Sequence, residues 1–270
     1  MNRKRAIGLA ALTVLELSHH EQVSAAAQAG YSHVGLRLVP VAGQPYSHPV
    51  DVAEVEKRLA DTGVSVLDVE VFRLTPQTDT KEFEWAMATA QRLGATELLV
   101  HGADPDQARL IETFGGLCDL AAGYGLSANL EPMPWVDVSD VAKAMRILDG
   151  AACPNGGLLV DAIHFFRAGD SPQALAQVAP KFLRYVQLCD ARAERPSHMQ
   201  EIIRQARGDR LFPGEGGLDL RGLLRALPAD LPISLEIPVA RKIEPLERAR
   251  LALEATRKFL DTGSRELGRR

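Results

Sequence analysis

Hydrophobic positions along the chain follow two patterns that alternate from one end to the other. Short apolar runs of strand type are separated by longer segments whose apolar residues recur at helical spacing, as in Val52-Val55-Leu59. The apolar runs predict eight strands, at residues 6–10, 33–38, 65–72, 97–101, 126–131, 156–161, 183–189 and 232–237. The helical pattern fills the segments between them.

Glycine follows several of the predicted helices just before the next strand, which is a common way to end a helix: Gly30, Gly63, Gly94 and Gly125. Eight strand–helix units in 270 residues predict an α/β fold, a (β/α)₈ TIM barrel. An open, doubly wound sheet is the competing fold, but no Gly-rich phosphate loop follows the first strand. We predict one domain over residues 1–262 and a frayed polar tail over 263–270.

Polar residues end the last four predicted strands: Glu131, Asp161, Gln187 and Glu236. The carboxyl ends of barrel strands meet at one mouth, where TIM barrels keep their active sites. Three carboxylates and an amide converging there would repel one another without a cation between them. Oxygen ligands of this kind suit Mg²⁺ or Mn²⁺, so the pattern predicts a metal-dependent barrel enzyme.

The same rim collects further polar residues. Glu70, His101, Glu131 and Asp161 are 31, 30 and 30 residues apart, about one strand–helix unit each, so they occupy equivalent places on successive strands. Glu70 and His101 are candidates to contact substrate or to orient the metal ligands. Arg37, at the end of the second strand, either grips a substrate oxygen or forms a salt bridge on the rim.

Composition and charge limit the classes of function that the chain can have. The chain is 46% apolar and 24% charged, as is ordinary for a soluble globular protein, and its net charge of −4 gives no basic surface for nucleic acid. No apolar run approaches membrane-spanning length, and the stretch after the basic N-terminus is a better strand than signal sequence. The three cysteines lack metal spacing and are predicted to be reduced, so we expect a cytoplasmic location.

The segment after the seventh strand is long for a connection within a barrel. It runs from Asp190 to a helix predicted at residues 220–227, and it emerges on the rim that carries the polar strand ends. Long loops of this kind are often functional, so we predict a lid or substrate clamp here. Asp190 and Glu215 are predicted to fix this loop rather than to act in catalysis.

Short motifs in the second half of the chain together resemble one known family. They are Glu131-Pro132, Asp161-x-x-His164, Gln187-x-x-Asp190, Pro213-Gly214-Glu215-Gly216 and the final strand Glu236. In this order they resemble the xylose isomerase-like TIM barrels of the sugar phosphate isomerase/epimerase family. Relatives in that family include ketose 3-epimerases, hydroxypyruvate isomerase, inosose dehydratase and 3-dehydroshikimate dehydratase.

The resemblance implies a role for each matched residue. Glu131, Asp161, Gln187 and Glu236 would bind one divalent metal, and Glu131 and Glu236 would also serve as proton acceptor and donor on opposite sides of the substrate. His164 and Arg210 match positions that hold substrate oxygens. Gln187 stands where the sugar epimerases usually carry His; its amide oxygen favours Mn²⁺ or Mg²⁺, is compatible with Co²⁺ and disfavours Zn²⁺.

We therefore expect a metal-dependent isomerase or epimerase that removes an α-proton from a small polyhydroxylated carbonyl compound, through an enediolate. A dehydratase of the inosose or 3-dehydroshikimate type is the alternative on the same scaffold, since its relatives more readily carry Gln at that position. A non-catalytic barrel and a DNA-repair nuclease are less favoured, the latter because seven scattered histidines and an acidic balance do not suit it. No nucleic acid or membrane partner is expected; a homodimer is left open.

Overall fold

A computed structural model describes residues 5–41 and 46–267 of the chain, with side chains up to residue 262. Its eight strands are parallel and form a closed barrel in chain order, because the last strand pairs with the first. The strands are β1 (Ile7–Leu9), β2 (His33–Arg37), β3 (Ser65–Leu74), β4 (Glu97–Gly102), β5 (Ser127–Leu130), β6 (Gly156–Asp161), β7 (Leu183–Leu188) and β8 (Ile233–Leu235). The predicted (β/α)₈ barrel is confirmed.

Helices lie between the strands and surround the barrel. They are α1 (His19–Ala29), α2 (Val52–Thr62), α3 (Glu84–Arg92), α4 (Gln107–Gly123), α5 (Val141–Ala151), α6 (Ala162–Ala168), α7 (Pro172–Leu175), α8 (Met199–Gly208), α9 (Leu220–Ala226) and α10 (Pro245–Leu267). Helices α1 and α2 end at Gly30 and Gly63, whose φ angles of 91° and 71° are accessible to glycine at little cost.

One detail of the sequence-based prediction needs correction. The long segment after β7 contains the helix α8, whose apolar residues Ile202 and Ala206 are buried at helical spacing. The last helix runs to Leu267. The domain over residues 1–262 and the tail over 263–270 stay predictions, and residues 268–270 lie outside the described part of the chain.

The barrel strands present two different faces. Leu98 and Val100 pack in the main core between barrel and helices, whereas Leu99 between them belongs to a separate buried cluster. That second cluster contains Leu67, Val71, Leu99, Leu159 and Tyr185. Side chains alternate along a strand, so these residues point into the barrel and form an apolar plug. His101, Asp161 and Gln187 each follow a plug residue by two positions, which places them above the plug, at the carboxyl ends of the strands.

No helix within the residues that the structure describes combines the length and apolarity required to cross a membrane.

Candidate metal centre

Four adjacent strands bring the predicted ligands together. Asp161 on β6 is in register with Gln187 on β7, and Gln187 is in turn in register with Ser234, two residues before Glu236. Glu131 directly follows β5. All four ligand side chains are buried, the most exposed being Glu236 at 4%. The closed barrel therefore turns four separate sequence positions into one compact group.

Arg210 connects two of these carboxylates. Its Nη1 lies 2.6 Å from Asp161 Oδ2, and its Nη2 lies 2.7 Å from Glu236 Oε2. The other oxygen of each carboxylate is also engaged: Asp161 Oδ1 accepts from the backbone N–H of His164 at 3.0 Å, and Glu236 Oε1 accepts from Gln187 Nε2 at 2.9 Å. Every oxygen of Asp161 and Glu236 is thus hydrogen-bonded.

Glu131 has a different environment, formed by two histidines. Its Oε2 lies 2.7 Å from His101 Nε2, whereas its Oε1 has no hydrogen-bond partner and lies 3.8 Å from His164 Nε2. Burial lowers the pKa of both His101 and His164 to about 3, which keeps both rings neutral near pH 7. The edge of Trp135 packs on His164, with ring centroids 4.9 Å apart, and fixes that ring.

The donor set fits a divalent cation. One ligand atom each from Glu131, Asp161, His164 and Glu236 lies within 4.8 Å of the others. The three carboxyl groups face a single guanidinium, so full ionisation would give the group an excess of two negative charges. Two oxygens of the group, Glu131 Oε1 and Gln187 Oε1, are buried without a hydrogen-bond partner. Buried acceptors without donors are costly, and a divalent ion would satisfy both the charge and the oxygens.

The pKa shifts of these carboxyl groups reflect the same excess of carboxyl groups over cationic side chains. Burial, reinforced by Asp161, raises the pKa of Glu131 well above its usual range, and burial does the same for Glu236 despite the nearby Arg210. Burial also opposes ionisation of Asp161, but Arg210 and His164 outweigh it and lower the pKa of that carboxyl. A bound cation would restore the ionised form of Glu131 and Glu236.

Arg37 and Glu70 form a second buried pair on the opposite side of the mouth. Arg37 Nε and Nη2 lie 2.7 Å and 2.6 Å from the same oxygen, Glu70 Oε1. The predicted salt bridge at Arg37 is therefore present. Whether Arg37, Glu70, His101, His164 or Arg210 binds substrate stays a prediction.

Asp190 organises the long segment between β7 and α9. Its two carboxylate oxygens accept hydrogen bonds from four backbone N–H groups, those of Ala191, Gly214, Gly216 and Leu218. At Gly216 a Cβ atom would clash with both Ala191 O and the Asp190 carboxylate, so no side chain fits there. Glu215 accepts from the N–H of Phe212 and pairs with Arg241. The prediction that Asp190 and Glu215 fix this loop agrees with these contacts.

Sequence reasoning missed three features of the site. His164 lies close enough to the carboxylates to be a ligand, whereas the sequence suggested only substrate binding. Trp135 braces that histidine. Asp68 is fully buried on β3 without a hydrogen-bond partner for either oxygen, and burial raises its pKa well above the usual range. The signal for Asp68 was available, as a second carboxylate within the apolar run of the third strand, two residues before Glu70.

Comparison with known proteins gives both sequence relatives and structural neighbours. A 3-dehydroshikimate dehydratase from Pseudomonas aeruginosa is 27% identical over 236 residues, which are 80% of this chain and 36% of that protein. A 3-dehydroshikimate dehydratase from Pseudomonas putida is 26% identical over 238 residues, 80% of this chain and 35% of that protein. The chain thus spans little more than a third of the length of these curated relatives.

Two solved structures share the fold. One is a fusion of a xylose isomerase-like TIM barrel with 4-hydroxyphenylpyruvate dioxygenase, with a TM-score of 0.79, 22% identity, and coverage of 94% of this chain and 42% of that one. The other is the IolI protein with a bound zinc atom, with a TM-score of 0.80, 19% identity, and coverage of 95% and 98%.

The family assignment rests on the chain's own sequence. Residues 23–259, which include every predicted metal ligand, match the family described as xylose isomerase-like TIM barrel. The barrel topology and the strand-end carboxylates agree with that match. The chain therefore belongs to the xylose isomerase-like TIM barrel family.

Proposed function

We propose that this chain is a divalent-metal-dependent enzyme that removes the α-proton of a small polyhydroxylated carbonyl compound. The observation that carries the proposal is the buried group of three carboxyl groups and one amide around a single guanidinium. Glu131, Asp161 and Glu236, with Gln187 or His164, would hold the ion. When bound, it would act as a Lewis acid that polarises the substrate carbonyl and stabilises the charge left by the departing proton.

The residues of the chain divide the proton chemistry between two sides of the mouth. Glu131 follows β5 and Glu236 follows β8, with Asp161 and Gln187 on the strands between them. Within the described part of the chain, Glu131 is the ligand carboxylate that no arginine contacts, so it is the carboxylate best placed to accept the α-proton. The neutral ring of His101 orients Glu131 through its hydrogen bond to Oε2 without competing for that proton.

The fate of the carbanion equivalent decides the reaction class. Proton return to the same carbon from the Glu236 side gives epimerisation, and proton return to the neighbouring carbon gives isomerisation. Loss of a β-hydroxyl, which takes up a proton and leaves as water, gives dehydration and a carbon–carbon double bond. All three share the first step, and that step is what the geometry supports.

Among these outcomes we favour dehydration of a cyclic hydroxy-ketone of the 3-dehydroshikimate type. Both curated relatives named above carry that name, and they align with 80% of this chain. Gln187 supports the same choice, because the family's dehydratases more readily carry Gln there than its sugar epimerases do. Isomerisation or epimerisation of a sugar is the second candidate, since it needs only a different proton donor position.

The test is turnover by metal-stripped protein that has been reconstituted with Mn²⁺, Mg²⁺, Co²⁺ or Zn²⁺. Substrates would be 3-dehydroshikimate, an inosose and a set of ketoses, in deuterated water. We expect metal-dependent loss of water from 3-dehydroshikimate, followed by the near-ultraviolet absorbance of the aromatic product. Exchange of an α-proton in a ketose without dehydration would favour the second candidate. Full activity of stripped protein would contradict both.

A further inference from the structure

The side chain of Arg210, at the mouth of the barrel, is held by hydrogen bonds from most of its N–H groups. It is 2% exposed, and its Nε donates to Ala206 O at 2.7 Å. Its Nη1 donates to Asp161 Oδ2 and to Glu236 O, and its Nη2 pairs with Glu236 Oε2. These contacts use four of the five N–H bonds of a guanidinium. A side chain held this way cannot swing towards a ligand without breaking several hydrogen bonds.

The two carboxylates that Arg210 contacts are also two of the carboxylates that would hold the metal. One oxygen of Asp161 and one of Glu236 are within 2.7 Å of its guanidinium nitrogens. A positive charge beside a cation site repels the cation, and in a buried site this repulsion is only weakly screened. The same charge stabilises the two carboxylates when they have no metal between them.

We infer that the positive charge of Arg210 is an internal counter-charge of the metal centre. It keeps the ligand carboxylates together when no metal is bound, and it weakens the binding of the metal so that the ion can exchange. The inference rests on the proposed function, because it takes a divalent cation as the occupant. It concerns a positioning residue: Arg210 acts through Asp161 and Glu236. The remaining N–H bond leaves the predicted contact with substrate open.

Two properties follow for the parent protein. Metal-free protein should be folded and stable, because Arg210 already offsets part of the carboxylate repulsion. Metal binding should raise the melting temperature only modestly, because the attraction between the ion and the carboxylates is partly offset by its repulsion from the guanidinium. Removal of the Arg210 charge should have the opposite effects: the metal-free protein should be less stable, and the metal should bind more tightly.

The experiment is Arg210→Met measured by calorimetric titration with Mn²⁺ and by thermal melting with and without Mn²⁺. Methionine keeps an unbranched stem of similar packing volume but has no charge and no donor. We expect the Kd for Mn²⁺ to fall at least tenfold. The metal-free melting temperature should fall, and the rise caused by Mn²⁺ should grow. An unchanged or weaker Kd would overturn the inference.

The matched control is Arg167→Met. Arg167 is the other arginine that is almost fully buried in this part of the barrel, at 1% exposure, but it donates to Arg192 O and Gln205 Oε1 and not to a carboxylate. Its replacement should lower the melting temperature equally with and without Mn²⁺ and leave the Kd within about threefold. An equal tightening in both variants would mean that Arg210 acts only through general loosening of the fold.

Arg210→Gln keeps the decision possible if Arg210→Met fails to fold under both conditions. The glutamine amide keeps hydrogen-bond donors for the carboxylates but carries no charge. We expect a Kd for Mn²⁺ about threefold or more below that of the parent, and a Kd equal to or above the parent's would overturn the inference. Failure of the parent and all variants to bind Mn²⁺ would overturn both this inference and the proposed function, whereas tight binding unaffected by residue 210 would overturn this inference alone.

Discussion

The two sides of the barrel mouth each contain a buried arginine beside carboxylates, but their charges balance differently. On the β2–β3 side, Arg37 pairs with Glu70. On the β5–β8 side, Arg210 faces Asp161 and Glu236, with Glu131 close by. The first pair matches one carboxylate with one guanidinium, whereas on the second side three carboxyl groups face one guanidinium. The comparison teaches that a cation site is indicated where buried carboxyl groups outnumber the cationic side chains that they contact.

The largest expected effect comes from a change on the unbalanced side. Glu236→Gln removes one of the two proton-transfer carboxylates but keeps an oxygen in the same place. We expect kcat to fall by about 10²–10⁴-fold, the range typical for loss of a positioned acid or base. Turnover of 3-dehydroshikimate with saturating Mn²⁺ is the measurement.

The control for this variant is Glu215→Gln. Glu215 lies on the same rim but is an exposed residue paired with Arg241, and its replacement should leave kcat within about twofold. If Glu236→Gln retained parental turnover, the assignment of Glu236 to proton transfer would be wrong.

A change on the balanced side should affect stability and spare the metal. Glu70→Gln leaves the buried Arg37 without the Glu70 carboxylate, and breaking a buried ion pair costs about 3–5 kcal/mol. We expect the free energy of unfolding in urea to fall by that amount, with the Kd for Mn²⁺ within about threefold of the parent.

Glu56→Gln is the control for Glu70→Gln, because Glu56 forms an ion pair with Arg92 on the exposed surface. Exposed pairs contribute about 1 kcal/mol or less, so the free energy of unfolding should change by no more than that. A large loss of Mn²⁺ affinity in Glu70→Gln would show that the two sides form one charge network and would end the comparison.

A smaller effect is expected at His101, which lies between the two sides. Burial lowers its pKa to about 3, whereas an unfolded chain takes up the proton near the ordinary value of 6.5. The unfolded state therefore binds more protons once the pH falls below about 6.5, and stability is lost as the pH falls through this window. One such histidine contributes a slope of about 1.4 kcal/mol per pH unit.

His101→Gln should remove that contribution. The free energy of unfolding of metal-free protein, measured in urea from about pH 7 to about pH 4.5, should fall less steeply in the variant than in the parent, by up to the slope of one proton. Parallel curves for parent and variant would show that His101 titrates alike in the folded and unfolded chain.

Much of the fold was predictable from local signals. The predicted strand at residues 156–161 agrees with β6 at both ends, and the other strands agree to within two residues, because most of the apolar runs have a glycine, a proline or a charged residue at one end or the other. The helix α8 was missed because only a few of its residues are apolar, and its buried stripe, Ile202 and Ala206, reveals it once the packing is known.

The site was predictable in its strand-end residues and less so in its partners. Glu131, Asp161, Gln187 and Glu236 could be placed because a parallel barrel puts every strand end at one mouth. The bridge formed by Arg210 depends on how the segment after α8 returns to the barrel, which no strand pattern specifies. The closeness of His164 to the carboxylates follows from the first turn of α6, which the Asp161 side chain caps.

The hydrogen bonds of Asp190 have a consequence for how this family diversifies. One carboxylate joins the start of the segment after β7 to its far end, at Gly214, Gly216 and Leu218. The intervening stretch, including α8, is therefore an insertion whose two ends are held together at the barrel by the Asp190 carboxylate. Residues 193–204 of this segment lie outside the contacts of Arg210 with Asp161 and Glu236, so we expect their length and sequence to vary without displacing the strands or the carboxylates at the barrel mouth.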